Sequence, residues 1–296
     1  MSMVSVVVAT YKRDESLVNA LESLANQTYD DFEIILVDDN GEINRNAVVS
    51  AIVSDFIKKH PYIKLEYIMN SPNQGSAKTR NIGINASKGE YVTFLDDDDL
   101  YLPKKISKQV AFMVEHCCDY CVTDLELFNE NNKLIDRRTR SYIKDTSPES
   151  MLKYHLMHHI TGTDTMMFKK EYIDKIGGFA PIDVGDEFYL MQRAIDGGGK
   201  FGYLPACDVK AYVHTGDGGL SSGEGKIAGE KALYAYKKKY FKRISSSDRR
   251  FIRMRHYAVL AFAEVRRKKY FKFIFDAVRS FLCAPIACVK MVLTKT

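Results

Sequence analysis

A chain of 296 residues, 46% hydrophobic and 27% charged, has the make-up of a globular protein with room for one large α/β domain and a smaller appendage. Its net charge of +5 hides two opposed parts: residues 237–296 carry 17 Lys/Arg against three acids, a balance of +14, while residues 1–236 carry 26 against 35, a balance of −9. Six unevenly scattered cysteines argue against a disulfide framework, and Met1-Ser-Met-Val lacks a basic leader, so a reducing, cytoplasmic setting is expected.

Val4–Thr10 is a β-branched run of buried-strand type, followed at Tyr11 by a turn into a helix with Leu17, Ala20, Leu21 and Leu24 at helical spacing. Phe32–Val37 is a second buried strand ending at Asp38-Asp39-Asn40-Gly41, and a second helix sets Val48, Val49, Ile52, Val53, Phe56 and Ile57 on its apolar face. Ile63–Ile68 is the third strand, Ser76–Ala86 a helix with Lys78 and Arg80 in its first turns, and Tyr91–Leu95 the fourth strand. This alternation predicts a parallel sheet with right-handed crossovers. In such a sheet ligands bind beyond the carboxyl ends of the strands. Those ends are Thr10-Tyr11, Asp38-Asp39, Asn73-x-Gly75 and Asp96–Asp99. The absence of a Gly-x-Gly-x-x-Gly turn after strand one, and of a Gly-Lys-Ser/Thr loop, argues against a dinucleotide oxidoreductase and a P-loop enzyme. Asp96–Asp99 are four carboxylates with no cation before Lys104. They read either as a divalent-metal site, since a hard cation offsets such repulsion, or as a solvated acidic turn.

Val4–Thr10 with Tyr11, Gln27-Thr28, Phe32–Asn40, Asn73-x-Gly75 with Ala77 and Arg80-Asn81, and Gly89–Asp99 together resemble family 2 glycosyltransferases of the GT-A fold over roughly residues 1–235. The resemblance implies an inverting transfer of a sugar from a nucleotide diphosphate donor, usually a UDP-sugar, with Mn²⁺ or Mg²⁺ as cofactor. It implies a hydroxyl of a saccharide or lipid-linked glycan as acceptor, in surface polysaccharide synthesis. It also divides the domain into a nucleotide-sugar half, residues 1–100, and an acceptor half, residues 101–235. Carried over by position, Tyr11, preceded by Thr10, packs on the base and Asp39 accepts from the uracil N–H. Asp98 ligates the metal, Asp96 or Asp97 reaches the ribose or a metal-bound water, and Arg80 lies near the nucleotide, with a structural ion pair to one of these aspartates as its alternative role. The family base sits in a Glu-Asp pair with an arginine six residues beyond. Here the pair reads Asp186-Glu187, in reverse order, and the spacing to Arg193 selects Glu187 with Asp186 as competitor. His214, just before a glycine-rich loop, matches a histidine that completes the metal or diphosphate site.

Between these motifs, Cys117-Cys118-x-x-Cys121 reads as buried thiols more readily than as a zinc site. A strand at Tyr120–Thr123, a hairpin turn at Asn129–Lys133, a solvated basic run Arg137–Arg140 and a surface or acceptor-facing helix bearing His155, His158 and His159 follow. Thr161–Phe168 reads as a strand, and Glu171–Phe179 as a helix ending in a Gly-Gly-Phe turn. Residues 236–296 form a basic, amphipathic helical extension. Its longest uncharged run, Ser280–Val289, falls short of the ~20 residues a bilayer span needs. Cations mixed with aromatics at helical spacing predict peripheral contact with an anionic membrane through 237–296; plain packing on the catalytic domain is the competing reading. Single-strand nucleic-acid readers need a sheet or groove for their aromatics, so nucleic acid is not an expected partner. Two rival functions stand beside the transferase: a sugar nucleotidyltransferase, and a nucleotide-sugar-binding module without catalysis.

Overall fold

The computed structural model describes residues 2–182, 184–213 and 223–293. By internal contacts the chain forms two compact units, residues 1–148 with 160–214, and residues 149–159 with 215–296.

The first unit opens with β1 (Val4–Thr10), α1 (Asp14–Ala25), β2 (Phe32–Asp38), α2 (Ile43–Lys59), β3 (Lys64–Met69), α3 (Ser76–Ala86) and β4 (Tyr91–Asp96). β1 pairs in parallel with both β2 and β4, and β2 with β3, as the alternation of elements predicts. β2 is buried throughout and β1 at all but one position, which is why both read as continuous apolar runs. α1 buries Leu17, Ala20, Leu21 and Leu24. α2 buries only Val49, Val53 and Phe56, while Val48 and Ile57 of its expected apolar face are exposed at the margins of a stripe that one neighbouring layer can cover.

Next come β5 (Leu100–Tyr101), α4 (Lys105–Glu115), β6 (Tyr120–Thr123), β7 (Leu125–Asn129), β8 (Leu134–Arg138), α5 (Pro148–His158), β9 (Met166–Lys169), α6 (Lys170–Lys175), α7 (Asp186–Asp196), β10 (Phe201–Leu204) and β11 (Val209–Val213). β9 runs antiparallel between β4 and β6, and β10 pairs with β6, completing a seven-stranded sheet ordered β10-β6-β9-β4-β1-β2-β3. A second sheet has the order β5-β11-β7-β8. The expected strand Thr161–Phe168 is shorter than its sequence suggests. Thr163–Thr165 form a 3-10 turn, closed by Thr165 N and Oγ1 on Gly162 O, and only then does β9 begin. The β7–β8 hairpin forms where predicted. Arg140, expected in a solvated run, is instead buried: its guanidinium donates to the carbonyls of Thr123 and Thr161, and its N–H to Asp124. Cys118 and Cys121 are buried thiols as expected, but Cys117 is exposed.

The second unit holds most of α5 together with α8 (Gly223–Lys238), α9 (Ser246–Arg266), α10 (Tyr270–Cys283) and α11 (Pro285–Leu293). Ser245 caps α9, accepting from Asp248 N at 3.1 Å. By contacts the helical unit takes in residues 149–159 as well as 215–296, so α5 belongs with it: Arg255 donates to Met157 O at 2.7 Å and Lys153 faces Asp248 at 3.8 Å. A surface placement of α5 also fails at His155, which is fully buried beside Met151, Leu152 and Leu156. Among the described residues no helix is long and apolar enough to cross a membrane.

Candidate active site

Parallel register brings the strand ends together: Thr10 lies opposite Asp38, Ala9 opposite Asp96, and Asp38 opposite Met69. Thr10 is buried and Tyr11 is 45% exposed at this edge, with Tyr11 N donating to Asp97 Oδ2 at 3.1 Å. Asp39 is fixed by the segment that leads into α3. Its Oδ1 accepts from Gln74 N (2.7 Å) and Asn70 Nδ2 (2.8 Å), and its Oδ2 from Gly75 N (3.0 Å). Gly75 adopts φ 82° and ψ 160°, a region essentially closed to residues with a Cβ, so glycine is what lets that N–H reach the carboxylate.

At the end of β4 the four aspartates separate into different environments. Asp98 pairs with Arg13 at 3.1 Å. Asp97 is buried, and burial followed by the nearby Asp98 charge pushes it up to about 7. Asp96 and Asp99 converge with Asp164 from the 3-10 turn, each offering an oxygen within 4.8 Å of the others. Asp164 Oδ1 accepts from Asp96 N at 2.6 Å, and Asp99 Oδ1 from Tyr212 N at 2.8 Å. Burial, with the Asp96 charge, raises Asp164 to about 7, and burial followed by the Asp164 charge holds Asp99 well above the usual carboxylate range. Three hard oxygen donors whose mutual repulsion is partly offset by Arg80 suit a divalent cation. Neither Asp99 nor Asp164 is singled out as a ligand by the motifs. The one signal at Asp164 is a lone charge in the otherwise uncharged run Thr161–Phe168. His214 lies outside the described residues.

Arg80 joins this cluster to α7. Its Nη2 meets Asp96 Oδ1 and its Nη1 meets Asp186 Oδ2, both at 2.6 Å, so it takes the ion-pair role considered for it. The guanidinium lies 5.6 Å from the Phe179 ring centroid. Phe179 is placed by Asn81, which accepts from Phe179 N (2.8 Å) and donates to Phe179 O (2.9 Å). Gly178, at φ 58°, leaves only 2.4 Å between a would-be Cβ and Asn81 Oδ1, so that clasp requires glycine. Arg193 closes the same turn from α7, donating to the carbonyls of Gly177 and Gly178 at 2.9 Å each.

Asp186 is further held at both oxygens: Ser76 Oγ donates to Oδ2 at 3.2 Å, and Glu187 N to Oδ1 at 2.8 Å. Glu187 is pushed up to about 8, first by burial and then by Asp186. The two carboxylates thus part company, one held in an ion pair with Arg80 and one poised to exchange a proton near neutrality. Beneath the cluster, buried Lys105 donates to Thr93 Oγ1 and Tyr101 Oη at 2.6 Å each, and burial lowers its amine to about 7. Tyr101 Oη in turn reaches Asp164 O at 3.2 Å.

The profile of "Glycosyl transferase family 2" matches residues 5–177. An uncharacterized glycosyltransferase of Methanocaldococcus jannaschii, MJ1057, is 29% identical over 240 residues, 79% of this chain and 77% of that protein. The Escherichia coli UDP-Glc:alpha-D-GlcNAc-diphosphoundecaprenol beta-1,3-glucosyltransferase WfaP is 34% identical over 227 residues, 73% of this chain and 79% of that one. Other relatives are matched over a smaller share of their length, down to 18%. Residues 1–349 of S. aureus TarS, solved with UDP-GlcNAc, superimpose at a TM-score of 0.61 and 18% identity, covering 95% of this chain and 91% of that one. The strand order, the acidic strand ends and these likenesses agree: the chain belongs to glycosyl transferase family 2, on a GT-A fold followed by a helical C-terminal segment.

Proposed function

We propose that the chain is an inverting, metal-dependent hexosyltransferase that moves a sugar from a UDP-sugar to a hydroxyl of a saccharide or lipid-linked acceptor in surface polysaccharide synthesis. The observation that carries this reading is Arg80, held at 2.6 Å from both Asp96 and Asp186, which couples the donor edge of the sheet to the helix turn bearing Glu187. WfaP, whose name specifies a UDP-sugar donor and a diphosphoundecaprenol-linked acceptor, supports the choice of both substrates.

In this account the exposed Tyr11 ring takes the base. Asp39, anchored by three N–H donors, keeps a lone pair on Oδ2 for the uracil N–H. Asp96, Asp99 and Asp164 would hold Mn²⁺ or Mg²⁺, with Asp98 available once it leaves Arg13 and His214 a further candidate ligand. When bound, the ion supplies charge neutralisation of the departing diphosphate. Glu187 accepts the proton of the acceptor hydroxyl as its oxygen attacks the anomeric carbon, and the bond from that carbon to the diphosphate oxygen breaks on the opposite face. Asp186 positions the turn through Arg80 and Ser76. All these groups lie in the unit of residues 1–148 and 160–214. The basic segment 237–296 is assigned to peripheral contact with the inner face of an anionic membrane, where a lipid-linked acceptor would be met.

A nucleotide-sugar panel followed by thermal shift, with and without Mn²⁺, tests the donor assignment. A metal-dependent rise in melting temperature with a UDP-sugar is expected. A rise that ignores the metal, combined with no transfer to any acceptor, would instead favour a binding module.

A further inference from the structure

Within the helical unit, α10 presents its apolar stripe outward. Phe271, Ile274, Phe275, Val278 and Leu282 recur at i, i+3, i+4, i+7 and i+11, and are 94%, 56%, 63%, 52% and 72% exposed. The face that packs on α9 is the mixed one: Ser280 is buried with its hydroxyl on Met254 O at 2.9 Å, and the Arg279 guanidinium sits 3.9 Å from the Tyr257 ring centroid. A helix recruited only to the protein interior buries its apolar side, and this one does the reverse. Ile286, 76% exposed, and Val289, 47% exposed, continue the outward apolar surface on α11.

A cavity of about 350 Å³ lies beside the start of this stripe, lined by Lys231, Arg267, Lys269 and Lys272. One acid, Glu264, also lines it and faces Arg267 Nη1 at 3.6 Å, leaving the lining with an excess of three positive charges. Cations at one end of an exposed apolar stripe match the layered chemistry of a lipid leaflet, phosphate above and acyl chain below. They suit a second copy of the chain poorly. A symmetric pairing of two stripes would bring Lys269 and Lys272 toward their own equivalents or leave them at an uncompensated rim.

We propose that the α10 stripe and the basic cavity together form a docking site for an anionic phospholipid surface. The cavity takes a lipid phosphate, while Phe271, Phe275 and Leu282 enter the boundary of the acyl layer with the helix lying in the plane of the interface. This deepens the membrane assignment of residues 237–296 and rests on it, but does not depend on sugar transfer.

Flotation of the full chain with vesicles is the test. Binding is expected to phosphatidylcholine vesicles containing phosphatidylglycerol and not to phosphatidylcholine alone. Lys269→Ala with Lys272→Ala is expected to weaken partitioning by about tenfold or more, from the ~1 kcal/mol that each cation contributes at such a surface. Phe271→Ser, Phe275→Ser and Leu282→Ser combined should abolish flotation while melting temperature and UDP binding stay at wild-type values. Flotation of that triple variant equal to wild type overturns the proposal. So does a lipid-free dimer by sedimentation velocity that the same variant dissolves, with no vesicle binding by the parent chain. A wild-type preparation that binds UDP but no vesicle overturns the docking site and leaves the transferase reading intact. Vesicle binding without UDP binding does the opposite.

Discussion

Arg80 and Glu187 carry the chemistry at the residue scale, and each makes a measurable demand. Arg80→Ala leaves Asp96 and Asp186 facing one another without their shared cation, and breaking such a buried arrangement costs about 3–5 kcal/mol. A fall of that size in unfolding free energy, read by urea denaturation, is expected. Arg80→Lys should recover only part of it, since an ammonium does not reproduce the guanidinium fork that meets two carboxylates. Glu187→Gln should lower kcat by about 10²–10⁴-fold with UDP affinity unchanged, the range for a lost general base. A base must be deprotonated to act, and burial and Asp186 raise Glu187 to about 8. Wild-type kcat/KM is therefore expected to climb with pH through about 8, and the variant's profile to lose that limb. A profile flat from pH 6 to 9 in the wild type (roughly the span that brackets such a group) would remove Glu187 from the role.

Elements differ in how openly their sequences declare them. β1, β2 and β4 were legible because strands covered on both faces read as unbroken apolar runs, and α3 because Gly75-Ser76 marks its start. The 3-10 turn at Thr163–Thr165 was not, since what fixes it is Asp164 accepting from Asp96 N, a partner 68 residues away. Asp99 was legible as one of the four acids Asp96–Asp99 but not set apart from them, since its oxygen is placed by Tyr212 N across 113 residues. Arg140 and His155 have surface-type side chains whose burial depends on carbonyls and layers that only tertiary packing supplies. On the metal, Asp99→Asn and Asp164→Asn should each reduce the Mn²⁺-dependent rise in melting temperature, because linkage stabilisation follows affinity. Rises equal to wild type in both variants would move the ion elsewhere among the acids. Under the cluster, Lys105 takes up its proton near 10.5 in the unfolded chain but only below about 7 in the fold. The unfolded state binds the extra proton between those values, so this group adds stability as pH rises from about 7 toward 10.5. Chemical denaturation at pH 7 and 9 (roughly the lower half of that window) should show a smaller gain, or a larger loss, of stability with pH in Lys105→Met than in the wild type.

Over the whole molecule, the charge division seen in composition has a structural counterpart. The acidic strand ends, their partners and the α7 turn sit in one compact unit, and the cations of 237–296 fall in the other. That much was legible in the chain as a change of sign. The inclusion of α5 in the helical unit was not, because it rests on contacts such as Arg255 to Met157 O. The central claim is that this chain transfers sugar from a UDP donor, with Glu187 as the base. Release of UDP from a panel of UDP-sugars, measured with Mn²⁺ present and after chelation, with wild type beside Glu187→Gln, tests it most directly. The account predicts turnover of at least one donor by the wild type, its loss on chelation, and a variant that still binds UDP but turns over about 10²-fold more slowly or worse. Equal turnover by wild type and variant would contradict it.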